Sequence, residues 1–180
     1  MEHFQKAYTW DIGTRAGWSD FRGGQLEVHE FDYKGVNKFI YVENGVVIRT
    51  IPAIHIIDGA ESFILEWNGM KFVYGGDTAP NTGFVEHAAN ADFAIHECFR
   101  PPSLLISKQG FSPAEALPVG TIVHSSPEQF GKVMSEIKPR MAVGYHFYND
   151  FDTNPEVTER VRKTYDGPLS LAVDYMVWKD

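Results

Sequence analysis

The stretch MKFVYGGDTAPNTGFVEHAANADFAIHECF, residues 70–99, decides how the rest of the chain is read. It opens on a β-type run, Met70 to Tyr74, breaks at Gly75-Gly76, and presents an acid, Asp77, directly after the break. The apolar period then changes. Phe84, Val85 and Ala88 share one side of a short helix predicted over Asn81–Asn90. A second apolar strand, Ala91 to His96, follows at once and ends in the adjacent pair His96-Glu97. Strand, helix, strand, with polar residues at both strand ends, is the pattern of an α/β layered fold.

Upstream the chain reads as antiparallel. The first two dozen residues mix aromatics with turn formers and are expected to be irregular. Strands are expected over Gln25–Tyr33 and Val36–Glu43. Asn44-Gly45 turns the chain into a β-branched run, Val46 to Ile57, interrupted by Pro52. Ser62–Trp67, Asn68-Gly69 and Met70–Tyr74 make a second hairpin with the same chemistry. Downstream the elements alternate. Ser112-Pro113-Ala114-Glu115 and Ser126-Pro127-Glu128-Gln129 have the form of capping boxes with proline at the first helical position. Between them Gly120 to Val123 reads as a strand ending at His124. Phe130, Val133, Met134 and Ile137 recur at helical spacing after the second box. Met141–Tyr145 is a buried-type strand ending at His146. A helix from Asn154 to about Tyr165 and a closing strand, Leu169–Trp178, complete the reading.

Composition bounds the function. The chain has 180 residues, 43% hydrophobic and 14% aromatic, enough for one compact domain over 1–180 with a sizeable core. Sixteen basic against 24 acidic side chains give a net charge of −8, which speaks against gripping long nucleic acid through bulk charge. A single cysteine, Cys98, forms no internal disulfide. No apolar run reaches the ~18 residues of a membrane span, and the N-terminus lacks an apolar signal core. A soluble, cytoplasmic chain acting on a small molecule is expected, with no membrane partner.

Of seven histidines, four end apolar runs: His55, His96, His124 and His146. Asp77 ends another. Polar side chains at the mouths of buried strands gather at one sheet edge, where α/β folds place their sites. Imidazoles with a carboxylate suit zinc, manganese or iron. Each residue alone has a plainer reading. A histidine after a strand is commonly a hydrogen-bonded structural residue, and Asp77 could merely cap the next helix. His3, His29 and His87 lack the strand-end context and are read as surface residues.

The joint order is far more specific. Ile54-His55, Gly75-Gly76-Asp77-Thr78, Ile95-His96-Glu97-Cys98-Phe99, Val123-His124-Ser125-Ser126 and Tyr145-His146-Phe147 resemble the C-terminal half of the metallo-β-lactamase superfamily, nearest its ribonuclease Z and arylsulfatase-like branch. The resemblance covers roughly residues 46 to 150. It implies an αββα sandwich, present here as a partial, C-terminal version. It implies that His55, Asp77 and His146 are metal ligands, with Asp77 bridging two ions. The family's upstream His-x-His-x-Asp-His, which supplies four further ligands, is absent from this sequence.

What the resemblance implies is a hydrolase holding one or two zinc ions (manganese or iron as alternatives). Its metal-bound hydroxide would attack an ester, phosphoester, sulfate ester, lactam or aryl halide. His124, at a helix N-terminus, would steady negative charge on the substrate. Glu97 would orient a supporting histidine, His96. Glu97 and His96 are not expected to bind metal together, because neighbours on a strand face opposite ways. Trp10, Trp18, Phe99 and Phe147 are candidates to line a pocket, although core packing explains them as well. The absent ligands favour a fragment or shortened form of a longer hydrolase. The apolar strands then favour a homo-oligomer, or pairing with an N-terminal segment. The competing readings are a non-catalytic binding or oligomerisation module and, more weakly, a cupin-like metal enzyme.

Overall fold

A computed structural model describes residues 6–15, 17 and 28–178. The chain divides into two units, Met1–Asp32 and Tyr33–Asp180. His3, Trp18 and residues 25–27 of the expected first strand lie outside the described residues.

In the first unit, Thr9–Arg15 forms α1, where the sequence reads as irregular. Its signal is the i,i+4 pair Asp11 and Arg15, 2.9 Å apart. Trp10, on this helix, is 80% exposed. Residues 28–32 take no regular structure, so the expected strand over Gln25–Tyr33 is not formed where it can be seen.

The second unit is built on one seven-stranded sheet whose spatial order is its sequence order. The strands are β1 (Lys38–Glu43), β2 (Val46–Pro52), β3 (Glu61–Trp67), β4 (Met70–Tyr74), β5 (Phe93–Glu97), β6 (Met141–Tyr145) and β7 (Leu169–Leu171). β1 to β4 pair antiparallel, and β4 to β7 pair parallel. Both Asn-Gly turns have the backbone a tight hairpin requires. Asn44 and Gly45 sit at φ 51° and 77°, Asn68 and Gly69 at 50° and 77°. β2 stops at Pro52, which supplies no donor to continue the ladder, rather than running on to Ile57.

The parallel half needs crossovers, and helices provide them. α2 (Thr82–Ala88) joins β4 to β5, capped by Asn81, whose side chain accepts from the Gly83 and Phe84 amides. α3 (Pro102–Gln109), α4 (Pro113–Pro118), a π-helix (Val119–Val123) and α5 (Pro127–Ile137) lie between β5 and β6. α6 (Thr153–Arg162) leads to β7. Both predicted capping boxes are present, Ser112 with Glu115 and Ser126 with Gln129. Two expectations fail here. Residues 119–123 are π-helical rather than a strand. β7 ends at Leu171 rather than Trp178. α3 is a helix for which the sequence gives no expectation.

Side-chain alternation sends Ile51, Ile64, Val73, Ala94 and Ala142 to one face of the sheet. There they pack with Phe84, Phe130, Val133, Met134, Val157 and Val161 of α2, α5 and α6 in one buried core. Each large side chain so buried contributes on the order of 1.5–3 kcal/mol. The alternate residues Ile40, Ile48, Phe63, Leu65, Phe72, Tyr74 and Ile95 line a groove on strands alone. Its aromatics pair across strands, Phe72 with Phe93 and Tyr74 with Tyr145, both at 5.5 Å between ring centroids. Tyr74 remains 43% exposed.

Candidate metal centre

The site forms where β4, β5 and β6 end. Gly75 and Gly76 bring the chain off β4. A side chain at Gly75 would put its Cβ 2.7 Å from the His96 ring, and one at Gly76 would lie 2.9 Å from the Glu61 carbonyl oxygen. Gly76 also sits at φ +67°. Only glycine fits both positions, and the turn is pinned as well. The Gly75 amide donates to Ile95 and its carbonyl accepts from Ser62 Oγ at 2.6 Å. Asp77 is thereby held at the strand mouth.

Glu97, the last residue of β5, is wholly buried. One carboxylate oxygen accepts the Thr78 amide at 2.7 Å and the Ser125 amide at 3.1 Å. The other accepts Nδ1–H of His124 at 2.7 Å and lies 3.8 Å from Nδ1 of His146. This one carboxylate ties together the loops that carry Asp77 and His124. The bonds also offset the large cost of burying a charge.

His124 follows the π-helix and stands two residues before the capped start of α5. His146 follows β6 at φ +68°, a left-handed conformation that costs a non-glycine residue energy and clusters at functional sites. Its Nδ1–H donates to Asp77 at 2.9 Å. Phe99 lies flat on the His124 ring, 3.9 Å between centroids, and edge-on to His146 at 5.0 Å.

Asp77, His124 and His146 each offer a ligand atom, all within 4.8 Å of one another. Nδ1 of each histidine is committed to a carboxylate oxygen, which leaves Nε2 as its other ring nitrogen, the usual arrangement behind a metal-binding imidazole. Two imidazoles and a carboxylate are a donor set that zinc accepts, as do manganese and iron. The residues present therefore fit a divalent cation.

The six residues read from the sequence are distributed as follows. Asp77, His124 and His146 form the cluster. His124 stands among the ligand-type groups, although the sequence reading gave it a substrate-facing part. Glu97 holds His124, not His96. His55 is outside the trio. Its ring is 5.2 Å from His124, and its Nδ1–H donates to the Val123 carbonyl at 3.2 Å. His96, read as a supporting histidine of the site, instead points into the helical core. It bonds its neighbour's carbonyl at 2.8 Å and packs against Phe84 and Phe130. Burial pushes its pKa down, keeping it neutral. Its separation from the Glu97 side chain is the expected alternation of neighbours on a strand. Cys98 is fully buried, and burial, with Glu128 and Glu97 nearby, raises its thiol well above its ordinary value. Phe147 packs on the core.

No protein-family model matches the chain. Over 107 residues it is 29% identical to the ribonuclease Z of Myxococcus xanthus, a stretch covering 59% of this chain and 31% of that protein. Its backbone is similar to the metallo-β-lactamase fold protein YhfI of Bacillus subtilis, with a TM-score of 0.62 at 16% identity over 80% of this chain and 53% of that one. It is also similar to the short form of human tRNase Z, with a TM-score of 0.53 at 18% identity over 78% and 46% of the two chains. The chain has the metallo-β-lactamase fold and spans about half the length of these structures and under a third of the relative.

Proposed function

We propose that this chain contributes to a metal-dependent hydrolytic site in which Asp77, His124 and His146 hold a divalent cation, zinc first and manganese or iron as alternatives. The observation that carries this is the convergence of three ligand atoms from the ends of β4 and β6 and from the loop after the π-helix, each histidine oriented by a carboxylate. A bound ion would supply Lewis acidity and lower the pKa of water. The protein's own part is orientation. Glu97 fixes the tautomer and angle of His124, Asp77 does so for His146, and Phe99 shields both rings on one side. The substrate carries an ester, phosphoester, sulfate ester, lactam or aryl halide. RNA belongs among the candidates. The relative is a ribonuclease by name, and a net charge of −8 does not describe a local groove, so the expectation against long nucleic acid drawn from bulk charge is not retained.

The test is zinc uptake. One zinc per chain is expected, with a rise in thermal midpoint that a chelator reverses. Saturation at about 100 times the dissociation constant adds about 2.7 kcal/mol. His124→Ala is expected to abolish uptake and His55→Ala to retain it; the reverse result would restore His55 as the ligand and leave His124 facing substrate. No uptake by the wild-type chain would favour the non-catalytic module. That second reading draws on the absence of His-x-His-x-Asp-His from the sequence.

The strand-lined groove of the second unit supports a further expectation, that a second copy or an N-terminal segment of the same fold covers it. Phe63, Leu65 and Phe72 line it with few polar groups, and apolar surface of this kind drives association. Sedimentation at micromolar concentration should find a dimer or larger. A monomer that binds no hydrophobic dye would count against it.

A further inference from the structure

Arg100 lies just beyond the end of β5. Its guanidinium lies between two aromatic rings, with Cζ 4.6 Å from the centroid of Phe99 and 4.5 Å from that of Tyr148. Those rings hold the plane but accept no conventional hydrogen bond. Its Nε is buried without an acceptor. Among the described residues no carboxylate pairs with it, in a chain with 24 acidic side chains. Its neighbours are treated differently. Lys108, 5.9 Å from the Tyr148 ring, is bound by Asp150 at 2.7 Å and Thr153 at 3.2 Å. Arg160 is tied to Glu128 and Glu156, each at 2.9 Å.

The Phe99 ring that carries Arg100 is the ring that lies on His124 and meets His146. The guanidinium is therefore one aromatic ring away from the cluster. A flat, pre-oriented fork of donors with no partner of its own matches an oxyanion.

We propose that Arg100 is a specificity-determining residue that binds an oxyanion of the substrate, a phosphoryl, sulfuryl or carboxylate group, beside the Asp77–His124–His146 cluster. The stacked rings restrict the side chain before the ligand arrives, so less freedom is lost on binding. This deepens the hydrolase reading by giving its substrate a negative charge. It rests on that reading for the substrate's role, but the anion contact itself needs no metal.

The experiment titrates inorganic phosphate, sulfate and acetate by calorimetry onto wild-type chain, Arg100→Gln and Arg100→Lys, each with zinc and after chelation. Phosphate or sulfate binding is expected to weaken about tenfold or more in Arg100→Gln, in the chelated chain as well as the zinc-loaded one. Arg100→Lys, which keeps the charge and loses the fork, should fall between. Which anion binds best separates the tetrahedral groups from carboxylate. Thermal midpoints without anion are expected to match, which reports an intact fold. Equal affinity in wild type and Arg100→Gln, or no anion binding by wild type in either form, overturns the proposal. Failure of zinc uptake overturns only the metal reading, because the chelated titrations still decide the part played by Arg100.

Discussion

Glu97→Ala is expected to lower unfolding stability by about 3–5 kcal/mol, the range seen when one partner of a buried charged network is removed. The carboxylate accepts the Thr78 amide, the Ser125 amide and His124 Nδ1–H, and Thr78, Ser125 and Glu97 are all fully buried. Removing it leaves two main-chain donors without a partner, at about 1–3 kcal/mol each. It also frees His124 and the two loops it joins. Glu97→Gln keeps an oxygen for the amides but turns a donor toward His124 Nδ1, so an intermediate loss is expected. Urea denaturation at constant m-value measures this. A loss below about 1 kcal/mol would mean that the cost of burying the carboxylate cancels its bonds.

Asp77→Ala is expected to do the opposite. Its side chain is 39% exposed and, among the described residues, its hydrogen bond runs to His146, so stability should change by under about 1 kcal/mol. Zinc affinity, however, should fall by a factor of about 100 or more. Losing a residue that merely orients a ligand already costs about 10–100-fold, and Asp77 is the cluster's one carboxylate. Competition against a chromophoric chelator, with a urea melt on the same sample, separates the two quantities. Unchanged zinc affinity would remove Asp77 from the ligand set. The two variants are thus expected to separate in the stability readout, with the large loss at Glu97 and the small one at Asp77.

Asp77 and His146 of the cluster, and Glu97 beside it, are legible because each follows an apolar run: Asp77 after Met70–Tyr74, Glu97 after Phe93–Ile95, His146 after Met141–Tyr145. A strand that ends on a polar side chain leaves a trace in a single sequence. Ring orientation leaves none. Nothing in the sequence tells that His124 rather than His55 turns toward Asp77, or that Phe99 lies flat on His124. The π-helix misled for a physical reason. Thr121, Ile122 and Val123 are β-branched and suit a strand. Local packing overrides them, since Gln129 Nε2 bonds the Thr121 carbonyl at 3.0 Å and Gly120 lies close against Pro102. α3 was hidden behind Pro101-Pro102, which reads as a loop although proline opens helices at their first position. The Arg15–Asp11 pair in α1 was masked by Gly13 and the surrounding turn formers.

The spatial order of the strands has a kinetic consequence. Every strand lies beside its neighbours in sequence, but the antiparallel half closes through tight turns whereas β5 and β6 are separated by four helical elements. Closing short loops costs less entropy than closing long ones, and topologies rich in near-neighbour pairings fold faster. The two hairpins can therefore form early, as β4 supplies an edge for β5, and β5 for β6. The cluster draws on the ends of β4, β5 and β6 and on the loop at His124 between the last two. It cannot close until β6 docks and brings in His146. Sheet growth and assembly of the site are then successive events along one chain, with the binding residues completed near the end of folding and not at its nucleus.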